Sequence, residues 1–275
     1  MALFISLNAA SLLFLIGSTC IALRHKTLSK VILAIAFVLV VFKAVLHYEP
    51  AWEASLFPWV GYIYLQEYWL YPVAMLFFGL AVGHLPVLWN RVVVALVALA
   101  ILSWGARQNL WIAFPETHGA EIRADTQGNI AQSTKYTCGP CACVSALSYL
   151  GVSATEREMA RLCLTHKTGT TVFNEYRGLV LKLQGTPYTV RIMKLSAKQL
   201  MTPGLTATVS IARGFHSVCV HGAGDHAIVH DPYVGQSLKW FEKKLREKYF
   251  PPAVVIVKRD TLEPVVQQDL SREKQ

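Results

Sequence analysis

Four long apolar runs crowd the first 107 positions of the chain, and the remainder changes from helical to strand-like periods. Residues 2–23 are almost continuously apolar, lack a small-x-small end and are followed by Arg24, Lys26 and Lys30. They read as a retained membrane span and not as a removed signal peptide. Residues 31–47 form a second span. Residues 48–66 carry Glu49, Pro50, Glu53, Pro58 and many aromatics, as suits a loop lying in the membrane interface. A third span covers about residues 68–89, and Asn90-Arg91 makes a polar turn. The fourth, 92–104, continues past Arg107 to bridge ~30 Å of hydrocarbon.

Residues 108–130 show little periodicity and are expected to be a linker. The small apolar run from Cys143 to Leu150, stopped by Gly151, reads as a buried helix with a glycine cap. Ser153 to Leu164, with Glu156 and Glu158 after its Ser/Thr start, predicts a capped second helix, and Asn174 to Leu183 a third. Short strands are expected at Thr189–Met193, Thr206–Ile211, Ser217–Val220, Ala227–Val229 and Ala253–Val257, with a basic amphipathic helix over Leu238–Lys248. Helices followed by an antiparallel sheet make an α+β domain over 131–258, after an α-helical membrane domain of about four spans in 1–107. Residues 259–275 form a polar tail.

Charge follows the same division. Residues 1–106 hold five Lys or Arg and three Asp or Glu, against twenty-one and fourteen in 107–275. The positive excess is dispersed and not interleaved with aromatics, so it argues against a nucleic-acid groove and for a solvated surface that favours anionic lipid. The basic residues follow spans one and three, whereas the loop after span two carries acids. Positive loops stay in the cytoplasm, which puts the N-terminus and the α+β domain on the non-cytoplasmic side of an inner (cytoplasmic) membrane.

Of six cysteines, Cys138 stands where a polar stretch turns into the small-residue helix. The first N–H groups of a helix lack partners and carry the positive end of its dipole, so a thiol there ionises more readily and becomes a nucleophile. Gln132 lies just upstream, able to aim an amide at an oxyanion beside the Cys138 N–H. Cys138-Gly-Pro-Cys141 is also a C-x-x-C, the spacing of a thiol–disulfide oxidoreductase, but the polar residues before it are not the apolar strand such sites follow. Cys138, Cys141 and Cys143 crowd too closely for a zinc ribbon.

The base comes from His216, at the start of one strand, and its orienter from Asp231, at the end of the next. A hairpin through 222–225 sets them side by side, as Cys–His–Asp chemistry needs. Four histidines, His216, His221, His226 and His230, crowd this hairpin, but no metal site is expected of them. His221 and His226, near the turn, are expected to face water.

These residues carry a resemblance. Gln132, Cys138-Gly139-Pro140, Tyr149-Leu150-Gly151, Gly169-Thr170, Phe215-His216 and Asp231-Pro-Tyr-Val-Gly235 stand in the order found in the bacteriocin-processing, double-glycine peptidase family of the papain-like clan. Residues 130–258 resemble that family, and the membrane spans do not. The resemblance implies a papain-like fold and a bacterial thiol protease with Cys138 as nucleophile, His216 as general base and acid, Asp231 as orienter and Gln132 as oxyanion donor. It needs no cofactor. Cys141 departs from the family's usual alanine. Four spans precede the domain in place of the transporter part that often follows it, so a transporter or secretion partner would be a separate protein. The expected substrate is a peptide or protein, with cleavage after small residues of a leader. The rival of another class is a module that grips a leader without cutting it.

Overall fold

The computed structural model describes residues 2–66, 68, 70–108, 110 and 118–259. The rest, including the expected polar tail beyond Arg259 and part of the expected linker, lies outside the described residues. Two compact units divide the described chain. One holds residues up to 49 and 61–110, the other 50–60 and 118–259.

In the first unit, α1 (Ala2–Arg24), α2 (Lys26–Tyr48) and a later helix, α6 (Leu88–Gln108), are long and apolar enough to cross a membrane. The expected interfacial loop is helical in part, as α3 (Pro50–Leu56) and α4 (Val60–Leu65). The expected third span is shorter than its apolar pattern. It forms α5 (Leu70–His84), and the turn falls at 85–87, ahead of the expected Asn90-Arg91. Pro86 causes the break, because it lacks an N–H and clashes with a continuing helix. Arg91, inside α6, donates from Nε to the Leu85 carbonyl at 2.7 Å and so satisfies a group the break exposes. At 15 residues, α5 is ~22 Å long. It runs parallel to α1, with Gly79 set against Leu15 and Ser18 and Gly83 against Ala22, where added side chains would collide. This is the close backbone approach that small residues four apart allow in lipid. The end of α5 is tied to α2 by a 2.8 Å hydrogen bond between His84 Nε2 and Ser29 Oγ.

The second unit begins before the expected domain boundary. His118 and Ile130 are buried, and the Ala120 N–H donates to Glu156, so the latter half of the expected linker is part of the domain. Three helices follow: α7 (Cys138–Ser148), α8 (Glu156–Leu162) and α9 (Val172–Lys182). Thr155 and Thr171 cap the last two by accepting from the N–H groups of Glu158 and Asn174. Gly151, at φ 69°, takes the left-handed turn after α7.

An antiparallel sheet comes next: β1 (Tyr188–Met193), β2 (Thr206–Ile211), β3 (His216–Gly222), β4 (Ala227–Asp231), β5 (Gln236–Trp240) and β6 (Tyr249–Lys258), in the spatial order β1-β6-β2-β3-β4-β5. The helix expected over Leu238–Lys248 begins later, as α11 (Glu242–Lys248), and its first residues are β5. Pairing with β4 and the burial of Trp240 outweigh the helical spacing there. A short α10 (Ala197–Leu200), held by a Ser196–Gln199 capping box, went unread in the sequence.

One face of the sheet buries Val209, Val218, Val220, Val229, Val255 and Trp240 against α10 and α11. Each such aliphatic side chain contributes ~1.5–3 kcal/mol by leaving water. The other face receives α7 and α9. There Cys143, Leu147, Cys163, Leu179 and Cys219 are buried without disulfides. Helix α7 is therefore pressed against β3, which brings its N-terminus to the start of that strand.

Candidate active site

Cys138 is the first residue of α7, and Thr137 before it makes no side-chain capping bond to the helix. Pro140 has no N–H, so the open donors of this helix start are the Cys138 and Gly139 amides. Cys138 itself is partly exposed, while Gly139 to Leu147 are buried behind it. The sequence thus sets one thiol at the wet, electropositive end of an otherwise dry helix.

His216 opens β3, and Asp231 closes β4, its neighbour in the sheet. His216 Nε2 and Asp231 Oδ1 are 2.7 Å apart. The Cys138 thiol is a close neighbour of the same ring and interacts with it. Asp231 is fixed by its own turn, accepting from the Tyr233 N–H at 2.9 Å on Oδ1 and from the Gly235 N–H at 2.8 Å on its carbonyl. Burial alone would lower the His216 pKa. The Asp231 hydrogen bond, then that of Cys138, and attraction to both groups outweigh burial and raise it to about 9. On Asp231 burial works upward, but the bonds from His216 and the Tyr233 N–H hold its carboxyl below the ordinary carboxylate range. The expected Cys138, His216 and Asp231 are therefore brought together, with the ring charged at neutral pH.

Gln132 is attached to the same corner through its backbone, its N–H donating to the Pro232 carbonyl at 2.9 Å. Its side-chain Nε2 donates to the Thr134 carbonyl at 2.8 Å, which fixes the amide's orientation, and its buried Oε1 has no partner among the described residues. One of its two N–H bonds is thus used locally, leaving the other.

Cys141 lies one turn into the helix, fully buried. Burial, followed by the nearby Glu156 carboxylate and a hydrogen bond to it, pushes its thiol far above the ordinary range. Cys143 is likewise raised by burial and by its contact with Cys163. Neither has the exposure or the thiolate character that disulfide exchange requires.

The remaining histidines are occupied elsewhere. His221, expected to face water, is only partly exposed. It stacks on Tyr149 at 3.8 Å between ring centres and shares a 2.9 Å hydrogen bond with Thr206 Oγ1. His230 is buried between Tyr149 Oη at 2.7 Å and Asn129 Oδ1 at 3.0 Å. His226 is paired with Asp225 at 2.6 Å.

Two buried carboxyls escaped the reading of the sequence. Glu156 accepts from the Ala120 and Ser133 N–H groups, both at 2.8 Å, and so clamps the segment carrying Gln132. Glu175 lies beneath Gly139 and Ser217. Both stand in the first turn of a capped helix, where an acid is ordinarily a solvated partner of the dipole, and no local signal marks them as buried.

Residues 126–252 match the sequence model of the Peptidase_C39 like family. An uncharacterized protein of Methanothermobacter marburgensis is 29% identical over 132 residues, 48% of this chain and 88% of that protein. One from Methanothermobacter thermautotrophicus is 35% identical over 71 residues, 26% of this chain and 47% of its own length. Among solved structures, the peptidase domain of Streptococcus ComA, a bifunctional ABC transporter of a quorum sensing pathway, is similar with a TM-score of 0.40 and 19% identity, covering 48% of this chain and 98% of that one. A double glycine motif protease from an AMS/PCAT transporter, solved with its leader peptide, gives 0.41 and 13%, covering 51% and 94%.

Proposed function

We propose, from the match of residues 126–252 to the Peptidase_C39 like family, that the protein is a membrane-anchored cysteine peptidase acting through Cys138, His216 and Asp231. The observation that carries this is the His216 ring, bonded to the Asp231 carboxylate and neighboured by the helix-terminal thiol of Cys138. A histidine paired with a carboxylate beside a thiol at a helix start is the arrangement that nucleophilic thiol catalysis requires.

In the reaction, the Cys138 sulfur attacks the scissile carbonyl carbon. The carbonyl oxygen takes the negative charge and is met by the Cys138 N–H and the second N–H of Gln132. His216 passes its proton to the leaving amine, and a thioester remains on Cys138. Water, losing a proton to His216, attacks that thioester and frees the acid. Asp231 keeps the ring oriented and offsets its charge throughout.

The substrate is a peptide or protein, and by analogy with the relatives a leader cut after small residues, presented by a separate transporter or secretion partner. A thiol–disulfide exchanger would need an accessible Cys141, and Cys141 is 0% exposed. The membrane helices hold the enzyme at a lipid surface. Residues 50–60 belong to the same compact unit as the domain, which fits the loop after α2 and the domain sharing one side of the membrane. The basic residues of the other loops make that side non-cytoplasmic. A topology reporter fused after Gln275 checks it, and cytoplasmic reporter activity contradicts it.

The function is tested by incubating the full-length protein in detergent with a mixture of peptides, including double-glycine leaders, and reading new termini by mass spectrometry. Cleavage that Cys138→Ala eliminates is the expected result. Cleavage that persists in Cys138→Ala, or leader binding by the wild type without any cleavage, refutes the reading.

A further inference from the structure

Glu175 is a buried carboxyl that the reaction above leaves unused. From the first turn of α9 it reaches two strands, Oε2 accepting from Thr208 Oγ1 on β2 and Oε1 from Ser217 Oγ on β3, both at 2.6 Å. Ser217 follows His216 directly. On its remaining side Glu175 meets the start of α7, where a Cβ built on Gly139 would lie 2.7 Å from Oε1 and 2.9 Å from Thr170 Cβ. Gly139 follows Cys138 directly. One carboxyl therefore touches the residue next to the thiol and the residue next to the imidazole. It also gives the glycine of Cys-Gly-Pro a physical reason, because no side chain fits between this backbone and Glu175.

We propose that Glu175 is a positioning residue that sets the distance between Cys138 and His216, by holding the start of β3 through Ser217 and the start of α7 by contact with Gly139. The proposal rests on the reading of Cys138 and His216 as nucleophile and base. Buried hydroxyls need partners, and removing the carboxyl leaves those of Thr208 and Ser217 orphaned beside a void. The start of β3 then shifts, and a displacement of ~1 Å at reacting groups costs ~10²-fold in rate. Burial raises the Glu175 pKa, while its bonds from Ser217 and Thr208 and attraction to His216 work against that rise. His216 on β3 and Cys143 on α7 are the titratable groups facing it.

The test is alkylation of Cys138 by iodoacetamide across pH in the full-length protein, read on the Cys138 peptide by mass spectrometry, with melting temperatures in parallel. Glu175→Gln keeps both hydroxyl partners and is expected to alkylate within about threefold of wild type at pH 6. Glu175→Leu is expected to lose about tenfold or more at pH 6, with its profile moved toward that of an ordinary thiol near ~8.5. Ser217→Ala, a smaller change that decides the matter if Glu175→Leu does not fold, is expected to lie between them. A folded Glu175→Leu or Ser217→Ala protein with the wild-type profile overturns the proposal, as does a Glu175→Gln profile as impaired as that of Glu175→Leu. If wild type alkylates no differently from His216→Ala, the catalytic reading itself has failed. If those two differ while Glu175→Leu matches wild type, only the role of Glu175 has failed.

Discussion

The β3–β4 hairpin carries two histidine sites, and they behave in opposite ways. At its open end, His216 is bonded to the Asp231 carboxylate and to a thiol, and its pKa rises to about 9. A few residues away, His230 is bonded to a phenol and an amide, and burial lowers its pKa to about 4, overcoming the attraction of Asp125 with a smaller push from His221 in the same direction. Burial pushes both pKa values down, although His216 keeps a fifth of its side chain exposed, so burial does not explain the opposite outcomes. The partner does: a carboxylate compensates a charged ring and a neutral hydroxyl does not. One hairpin thus supports a charged ring suited to catalysis and a neutral ring that fastens the segment containing Asn129 to the sheet.

The strongest way to break this contrast is to remove the nucleophile or its base. Cys138→Ala is expected to abolish turnover with the fold intact, because a small residue suits the helix start, and His216→Ala to lower the rate by ~10³-fold or more. Turnover and circular dichroism check both. Asp231→Asn keeps the shape but removes the charge, and is expected to cost ~10²–10⁴-fold in kcat and to lower the apparent pKa of His216 in NMR titration. Gln132→Ala is expected to slow acylation by ~10²–10³-fold with little change in peptide binding, measured in single turnovers.

The His230 site gives a smaller effect, on stability. Its folded pKa of about 4 lies below the unfolded 6.5, so its contribution is full above pH 6.5 and is lost as pH falls through 4. The loss amounts to up to ~3 kcal/mol. His230→Gln should flatten that part of the stability–pH curve in urea titrations while leaving turnover largely intact. His216 has the opposite sign, since its stabilisation is full below pH 6.5 and fades as pH rises through about 9. Smallest of all, Cys141→Ala is expected to retain substantial activity, because its thiol is fully buried and closed to substrate.

Much of this hairpin was legible in the sequence. His216 at a strand start and Asp231 before Pro-Tyr-Val-Gly place two side chains at one end of adjacent antiparallel strands, and alternation fixes the pairing once the turn is located. Cys138 was legible for a local reason too, since polar residues give way there to a small-residue helix. The second site was not. His221 looked solvated because it lies near the turn, and only the end of α7, distant in sequence, supplies Tyr149 to cover it. Glu175 was hidden in the same way, its partners Thr208 and Ser217 lying over thirty residues downstream. The third span was overextended because apolar residues continue through Pro86 into the next helix, and hydropathy does not register a missing N–H.

The central claim is that His216 alone of the hairpin histidines activates Cys138, and the pH profile of Cys138 alkylation in the full-length protein tests it most directly. Wild type and His230→Gln should both react readily at pH 6 and change little up to pH 8, whereas His216→Ala should stay slow until it nears an ordinary thiol pKa of ~8.5. A wild-type profile that coincides with that of His216→Ala, or one that moves with His230→Gln, would contradict the account.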